Sequence, residues 1–453
     1  MLTRFLKTAL LAICILMAVL VALYATSKRW PIPQAQRQAL AQLRQPQPPL
    51  RGTNMFAALW SLSYAMPEAQ RENVLAQDVE RFNRLPAGAA FQSAAARYPR
   101  QPQWPSTAPA LCSASAGSCL DLVRQQPHAY ADALAAQAPL LARLRALADY
   151  GDYRSPFRPD ISALLPESPR LTLSMTANAL DFVQGRTTQA LSGVCADAQV
   201  ARVLLRSGDN LLMPMIGAAM LRGNAHLFAD MLAELPTQHP LPAQCTTAFA
   251  PLAVDDIALC NALHGESRLA FSMLQEDALR QDRQLSWQDR FPLRLLDPER
   301  TQALLAPTYT WACGAPVRNL LAQDQPVPQT LIPEPQTTLV ACIANATGCL
   351  LASVSRPDYA NYQHKLQDTA AAVRALAAVQ WLRDRPADAT PLAQRLADLP
   401  PALRGQARPL QPGHDGKSLM LRQYAKPIGN AGEERWPLAG SALAAQRAAP
   451  SLQ

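Results

Sequence analysis

The first pattern along the chain is an unbroken apolar run, Ala9 to Ala25 (ALLAICILMAVLVALYA), with Arg4 and Lys7 before it and Lys28, Arg29 and Trp30 after it. A helix rising 1.5 Å per residue would carry this run across roughly 26 Å of a hydrocarbon core of about 30 Å. Thr8, Thr26 and the snorkelling basic flanks make up the difference. The run has no polar face, which argues against a buried helix of a soluble core. It reads as a single transmembrane helix, residues 9–25, behind a short basic tail, residues 1–8. Ala25-Thr26-Ser27 also suits signal-peptide cleavage before Lys28, but the run is longer than the usual 7–15 residues, and an uncleaved signal-anchor is the expectation.

Beyond the run the periodicity changes. Residues 26–52 carry Pro31, Pro33, Pro46, Pro48 and Pro49 and read as a Pro-rich linker with room for one short helix. From Thr53 the spacing is helical, with Phe56, Leu59, Trp60 and Tyr64 on one stripe. Residues 119–150 form a long amphipathic pattern. Residues 168–236 read as four helices, turned at Gly185-Arg186, Ser207-Gly208-Asp209 and Gly223-Asn224. Further helices are expected within 245–281, 297–306 and 317–323 and over 358–383. The predicted fold is therefore mainly α: a helical-hairpin, loosely solenoid-like domain over 53–395, with a break between two lobes near 325–340. Residues 396–453 change style again. SLMLRQYAK alternates, Gly429 to Gly432 offers a turn, and a small β-hairpin or extended segment followed by a frayed tail is expected.

Eight cysteines lie outside the apolar run, an even number that suits disulfides. Cys112 and Cys119 bracket a small-residue loop, SASAGS; Cys342 and Cys349 have the same separation around IANATG. The expected pairs are Cys112–Cys119, Cys245–Cys260 across two successive helices, and Cys342–Cys349, leaving Cys195 and Cys313. One continuous helix over 342–349 would forbid the last, because its ends would stand ~10 Å apart. Several matches between the stretches starting at 112 and 342 raise the possibility of an internal duplication.

Composition narrows the partners. Of the 453 residues 49% are hydrophobic and 17% charged, and the chain has 42 Lys+Arg against 34 Asp+Glu. Four of the basic residues lie in 1–30, so the remainder carries only a mild surplus. No arginine stripe interleaved with aromatics is present, and no nucleic-acid partner is expected. The basic flank after the run, counted alone, would place the bulk in the cytoplasm; a basic N-terminal tail on a signal-anchor and the cysteine pairs favour the periplasm instead. The expected location is the inner (cytoplasmic) membrane, single-pass, with the bilayer as partner through residues 9–25 and other envelope proteins as further partners.

Catalytic motifs are absent: no G-x-S-x-G, Ser-x-x-Lys, His-Glu-x-x-His, Walker loop or G-x-G-x-x-G occurs. No cofactor and no metal site is predicted. Three weak constellations remain. His226 and Asp230 stand four apart on a predicted helix, with His239 following, and form a polar cluster whose plainest reading is a hydrogen bond from His226 to Asp230. Cys260 and His264 have the spacing of a thiol and its base. Asp255-Asp256 and Glu276-Asp277 read as solvated helix faces. The expected role is therefore binding or scaffolding in the cell envelope. A metal-dependent periplasmic hydrolase on a helical fold is the alternative, and a cytoplasm-facing membrane adaptor a second.

Overall fold

The computed structural model of the chain describes residues 2–438 except 87–88, 114–117, 161–163, 167–168, 275–286, 355–357, 386–389 and 427–431. Its principal helices are α1 (Leu2–Arg29), α2 (Gln34–Leu43), α3 (Leu173–Val183), α4 (Thr187–Leu205), α5 (Leu212–Glu234), α6 (Cys260–Ser272), α7 (Pro298–Thr310), α8 (Leu339–Ile343), α9 (Ala346–Val354) and α10 (Tyr359–Arg383). Shorter helices fill the intervals, and one small sheet lies near the C-terminus. The mainly helical fold class is the one the periodicity predicts.

The apolar run lies within one continuous helix, α1. Within Phe5–Arg29 an 18-residue window reaches a mean hydropathy of 2.7, and the apolar side chains are exposed along it. The helix continues past Ala25 to Arg29 because no glycine or proline intervenes before Pro31, whose ring removes a helix donor. Its last turn enters the folded body. Ser27 is fully buried and its Oγ accepts from the Ala344 N–H at 2.8 Å, while Arg300 donates to the Lys28 carbonyl at 2.5 Å.

The segment expected as a linker is instead packed. Ala39, Leu40 and Leu43 of α2 are buried against α7, and Gln36 donates to the Gln336 carbonyl at 3.2 Å. Its prolines set the ends of the segment, but the apolar face between them has a surface to cover.

In the central layer α3, α4 and α5 fold back on one another, with α10 against α5. Gly185 turns α3 into α4 at φ +80, a left-handed conformation that costs glycine little. The break expected at Gly223-Asn224 does not occur, and three long helices stand where four were expected. Gly223 and Asn224 are buried inside α5, and Asn224 donates to the Met220 carbonyl at 2.9 Å, so the side chain serves the helix it was expected to end. Conversely, the long pattern over 119–150 is cut at Pro127 and Pro139, each near the start of a new helix.

Beyond α10 lie three antiparallel strands, Gln411–Pro412, Ser418–Arg422 and Glu433–Pro437, in chain order across the sheet. Leu419 faces Trp436 across the last pair, and both are fully buried. The hairpin expected after 418 is therefore present. Its turn, apart from Gly432, and the tail from 442 lie outside the described residues. Arg408 ties this segment to the helices: its guanidinium donates to Asp324 (2.8 and 3.0 Å) and to Asp368 of α10, and lies 3.9 Å over the Tyr424 ring. The main core among the described residues runs from Ala39 to Trp436, with a small second cluster of Met66, Val74 and Ala95.

Four disulfides join the eight cysteines: Cys112–Cys119, Cys195–Cys245, Cys260–Cys313 and Cys342–Cys349. Two are the expected short loops. Cys342 and Cys349 meet at a Cα separation of 5.9 Å because the chain breaks between α8 and α9, so they do not lie on one continuous helix. The expected Cys245–Cys260 pair is not formed. Residues 244–248 pack on α4 and present Cys245 to Cys195, while α6 carries Cys260 to Cys313 beside α7.

Candidate functional site

The expected polar cluster is not a single site. His226 lies on α5 with its ring stacked on Trp436 at 3.9 Å and its Nε2 3.4 Å from Glu434. Its partner is thus the C-terminal strand, and Asp230 instead bonds Ser118. Burial, the largest influence, pushes Asp230 up to about 6, with His226 and the Ser118 hydroxyl opposing. His239 sits beyond the end of α5, where its backbone bonds to the Pro236 carbonyl and accepts from Arg383. Among the described residues no three His, Cys, Asp or Glu side chains converge on a point where a metal ion would fit. Cys260 is disulfide-bonded, so it offers His264 no thiol. Asp256, expected in solvent, is buried and held by Arg206 at 2.7 and 3.2 Å; Asp255 meets Arg318. Glu276-Asp277 lie outside the described residues.

The arrangement best suited to hold a ligand is elsewhere. A cleft of about 570 Å³ opens between residues 155–160 and 164–165, the turn joining α4 to α5, the middle of α6 and the first turns of α10. Phe157, Leu164, Leu165, Leu211, Leu212, Met215 and Leu269 supply apolar walls; Asp160, Asp209, Glu266, Arg158, Arg268 and Lys365 supply three charges of each sign. A site of this size, apolar with a few convergent polar groups, has the character of a small-molecule or short-peptide pocket.

Its frame is set by a close approach. A Cβ on Gly265 would stand 2.2 Å from the Asp209 carbonyl carbon, so only glycine lets α6 lie against the 208–209 turn. That contact aligns three bonds: Arg268 donates to the Gly208 carbonyl at 3.0 Å, the Leu211 N–H donates to Glu266 at 3.1 Å, and the Ser155 N–H donates to Asp209. Burial pushes the Asp209 carboxyl up to about 6; Ser155, Arg268 and Arg154 hold it from going further. Arg158 runs along the Phe82 ring at 5.0 Å and lies 3.2 Å from the buried Asp160. Behind Glu266, burial pushes the Tyr309 hydroxyl up to about 12 and Tyr359 higher still, both further raised by the Glu266 charge.

A smaller cavity of about 90 Å³ adjoins the cleft and shares Gln47 and Arg268 with it. His264 lines it. Burial, with Arg268 adding, lowers the His264 pKa, and its Nε2 is buried with no hydrogen-bond partner among the described residues.

The cleft was missed in the sequence because its residues come from five separated stretches. The only local signal was Ser207-Gly208-Asp209, legible there as a turn and nothing more. Compared with known proteins, the chain matches no family model, no curated protein and no solved structure.

Proposed function

We propose that this protein is a binding component of the cell envelope, anchored in the inner membrane by α1, with its helical body in the periplasm and the cleft as its ligand site. The observation that carries the binding role is the cleft itself: apolar walls around a charge-balanced set of carboxylates and cations favour a small amphipathic ligand bearing both signs or none, such as a peptide of a few residues. No nucleophile with a base at hydrogen-bond distance stands in the cleft among the described residues, which favours binding over catalysis.

The anchor reading is supported by the fate of Ser27. Cleavage before Lys28 would remove a fully buried hydroxyl and leave the buried Ala344 N–H without its acceptor. Four disulfides support an oxidising compartment. Acid quenching of cells, then alkylation of the denatured protein and mass spectrometry, tests this: one alkylated cysteine, Cys14, is expected, whereas nine would place the body in the cytoplasm. Titration of the full chain in lipid nanodiscs with Leu- and Phe-containing tripeptides tests the cleft. Saturable binding is expected, weakened at least tenfold by Leu269→Trp. Equal binding by both proteins, or none by either, would refute the role of the cleft.

A further inference from the structure

The α8–α9 hairpin has its apolar side chains on the wrong face for a helix in water. Gly348 and Ala352, one turn apart, point into the body, where a Cβ on Gly348 would meet the Thr301 hydroxyl at 2.0 Å. The larger residues point out: Leu339 is 85% exposed, Val354 68% and Leu350 63%. Outside α1 these are the three most exposed large apolar side chains among the described residues. The chain from Pro335 to Ser355 carries no charged residue. Within Leu339–Val354 the polar side chains are turned inward or bonded locally. Asn345 accepts from the Asp297 N–H (2.8 Å) and the Thr301 hydroxyl (3.1 Å), Thr347 donates to the Pro292 carbonyl, and Ser353 donates to the Leu350 carbonyl.

The position of the hairpin says what covers this face. α8 packs beside α1, and the Ala344 N–H bonds Ser27, two residues after the apolar run ends at Ala25. α8 thus lies at the level where the apolar run ends, and α9, tied to it by Cys342–Cys349, follows in the same hairpin. Nine residues of α9 reach only about 14 Å, too short to cross, and a short inverted helix is suited to the headgroup–acyl boundary. We propose that the α8–α9 hairpin, closed by Cys342–Cys349, is a second membrane contact: it lies in the outer face of the lipid interface and presents Leu339, Leu350, Leu351 and Val354 to acyl chains. With α1 it makes a two-point attachment that fixes the tilt of the body over the membrane. This rests on α1 being an uncleaved anchor.

The test is photolabelling of the full chain in nanodiscs whose phospholipids carry a diazirine in the acyl chain, with labelled peptides mapped by mass spectrometry. Strong labelling is expected in α1 and in residues 339–354, the latter several-fold above the exposed helix Leu392–Ala397 as background. A triple variant, Leu339→Glu, Leu350→Glu and Val354→Glu, is expected to bring 339–354 down to that background while α1 labelling and the circular dichroism spectrum stay unchanged. Labelling of α1 with the wild-type hairpin at background overturns the second contact and leaves the anchor standing. Recovery of 339–354 cross-linked to another protein in native membranes, without lipid label, overturns it in the same way. Absence of label from α1 as well overturns the anchor reading, and the hairpin proposal with it.

Discussion

Asp197 offers a direct measure of how dry the helical core is. Its carboxyl lies on α4, 4% exposed, and accepts from Asn178 of α3 at 2.8 Å. Burial is the largest influence and raises its pKa to about 7; Ser174, Arg145 and Asn178 offset part of that. The folded protein therefore keeps this proton to higher pH than the unfolded chain does. The associated stability is fully present below the ordinary carboxylate value and is lost as pH rises through about 7. Integrated between pH 5 and pH 8, the loss is about 2.5 kcal/mol. Asp197→Asn keeps a neutral side chain and an acceptor for Asn178 at every pH. Urea denaturation of the full chain in detergent, followed by fluorescence and circular dichroism, should show the variant gaining on the wild type by about 2.5 kcal/mol between those two pH values. Asp209 and Asp230, each raised to about 6, titrate in both proteins and cancel in the difference. A gap constant to within about 0.5 kcal/mol would show that water reaches Asp197 and would refute the reasoning.

Arg408→Met should cost about 3–5 kcal/mol, because Asp324 and Asp368 would lose the cation between them; faster proteolysis within 405–438 reports it, and unchanged cleavage would count against the network. Removing Cys195–Cys245 by a double Ser substitution should cost about 4 kcal/mol in chain entropy, against about 2.4 kcal/mol for Cys342–Cys349, reflecting separations of 50 and 7 residues; melting temperatures in the reverse order would contradict this. Gly265→Ala should push α6 off the 208–209 turn and abolish tripeptide binding, whereas Ala270→Gly, on the same helix beyond the cleft, should leave it intact; nanodisc titrations compare the two.

What the sequence displayed of the fold is what depends on neighbours along the chain. The apolar run, the stop before Pro31, the turn at Gly185 and the 25-residue helix over 359–383 are all local signals. So are the two cysteine pairs seven residues apart. The failures are tertiary. Cys245 lies fifteen residues from Cys260 yet bonds Cys195, fifty away, because packing on α4 decides the partner. Gly223-Asn224 carries a turn signature, but the core around α5 overrides it. His226 stacks on a tryptophan more than two hundred residues downstream, and no spacing rule connects the two. The cleft was illegible for the same reason: Gln47, Asp209, Arg268 and Lys365 meet only once the helices are assembled. The outward face of α9 was present in the letters, but its meaning depends on where α1 ends.

The order of the four disulfides bears on biogenesis. Each bonded cysteine joins the next one along the chain, so no loop closed by one bond encloses another. A polypeptide threaded outward from its amino end would expose each partner directly after its mate, and the correct bonds would be the first available ones. Export into a compartment with a thiol oxidase alone should therefore yield the native connectivity, and cells lacking a disulfide isomerase should accumulate the mature protein at the normal level.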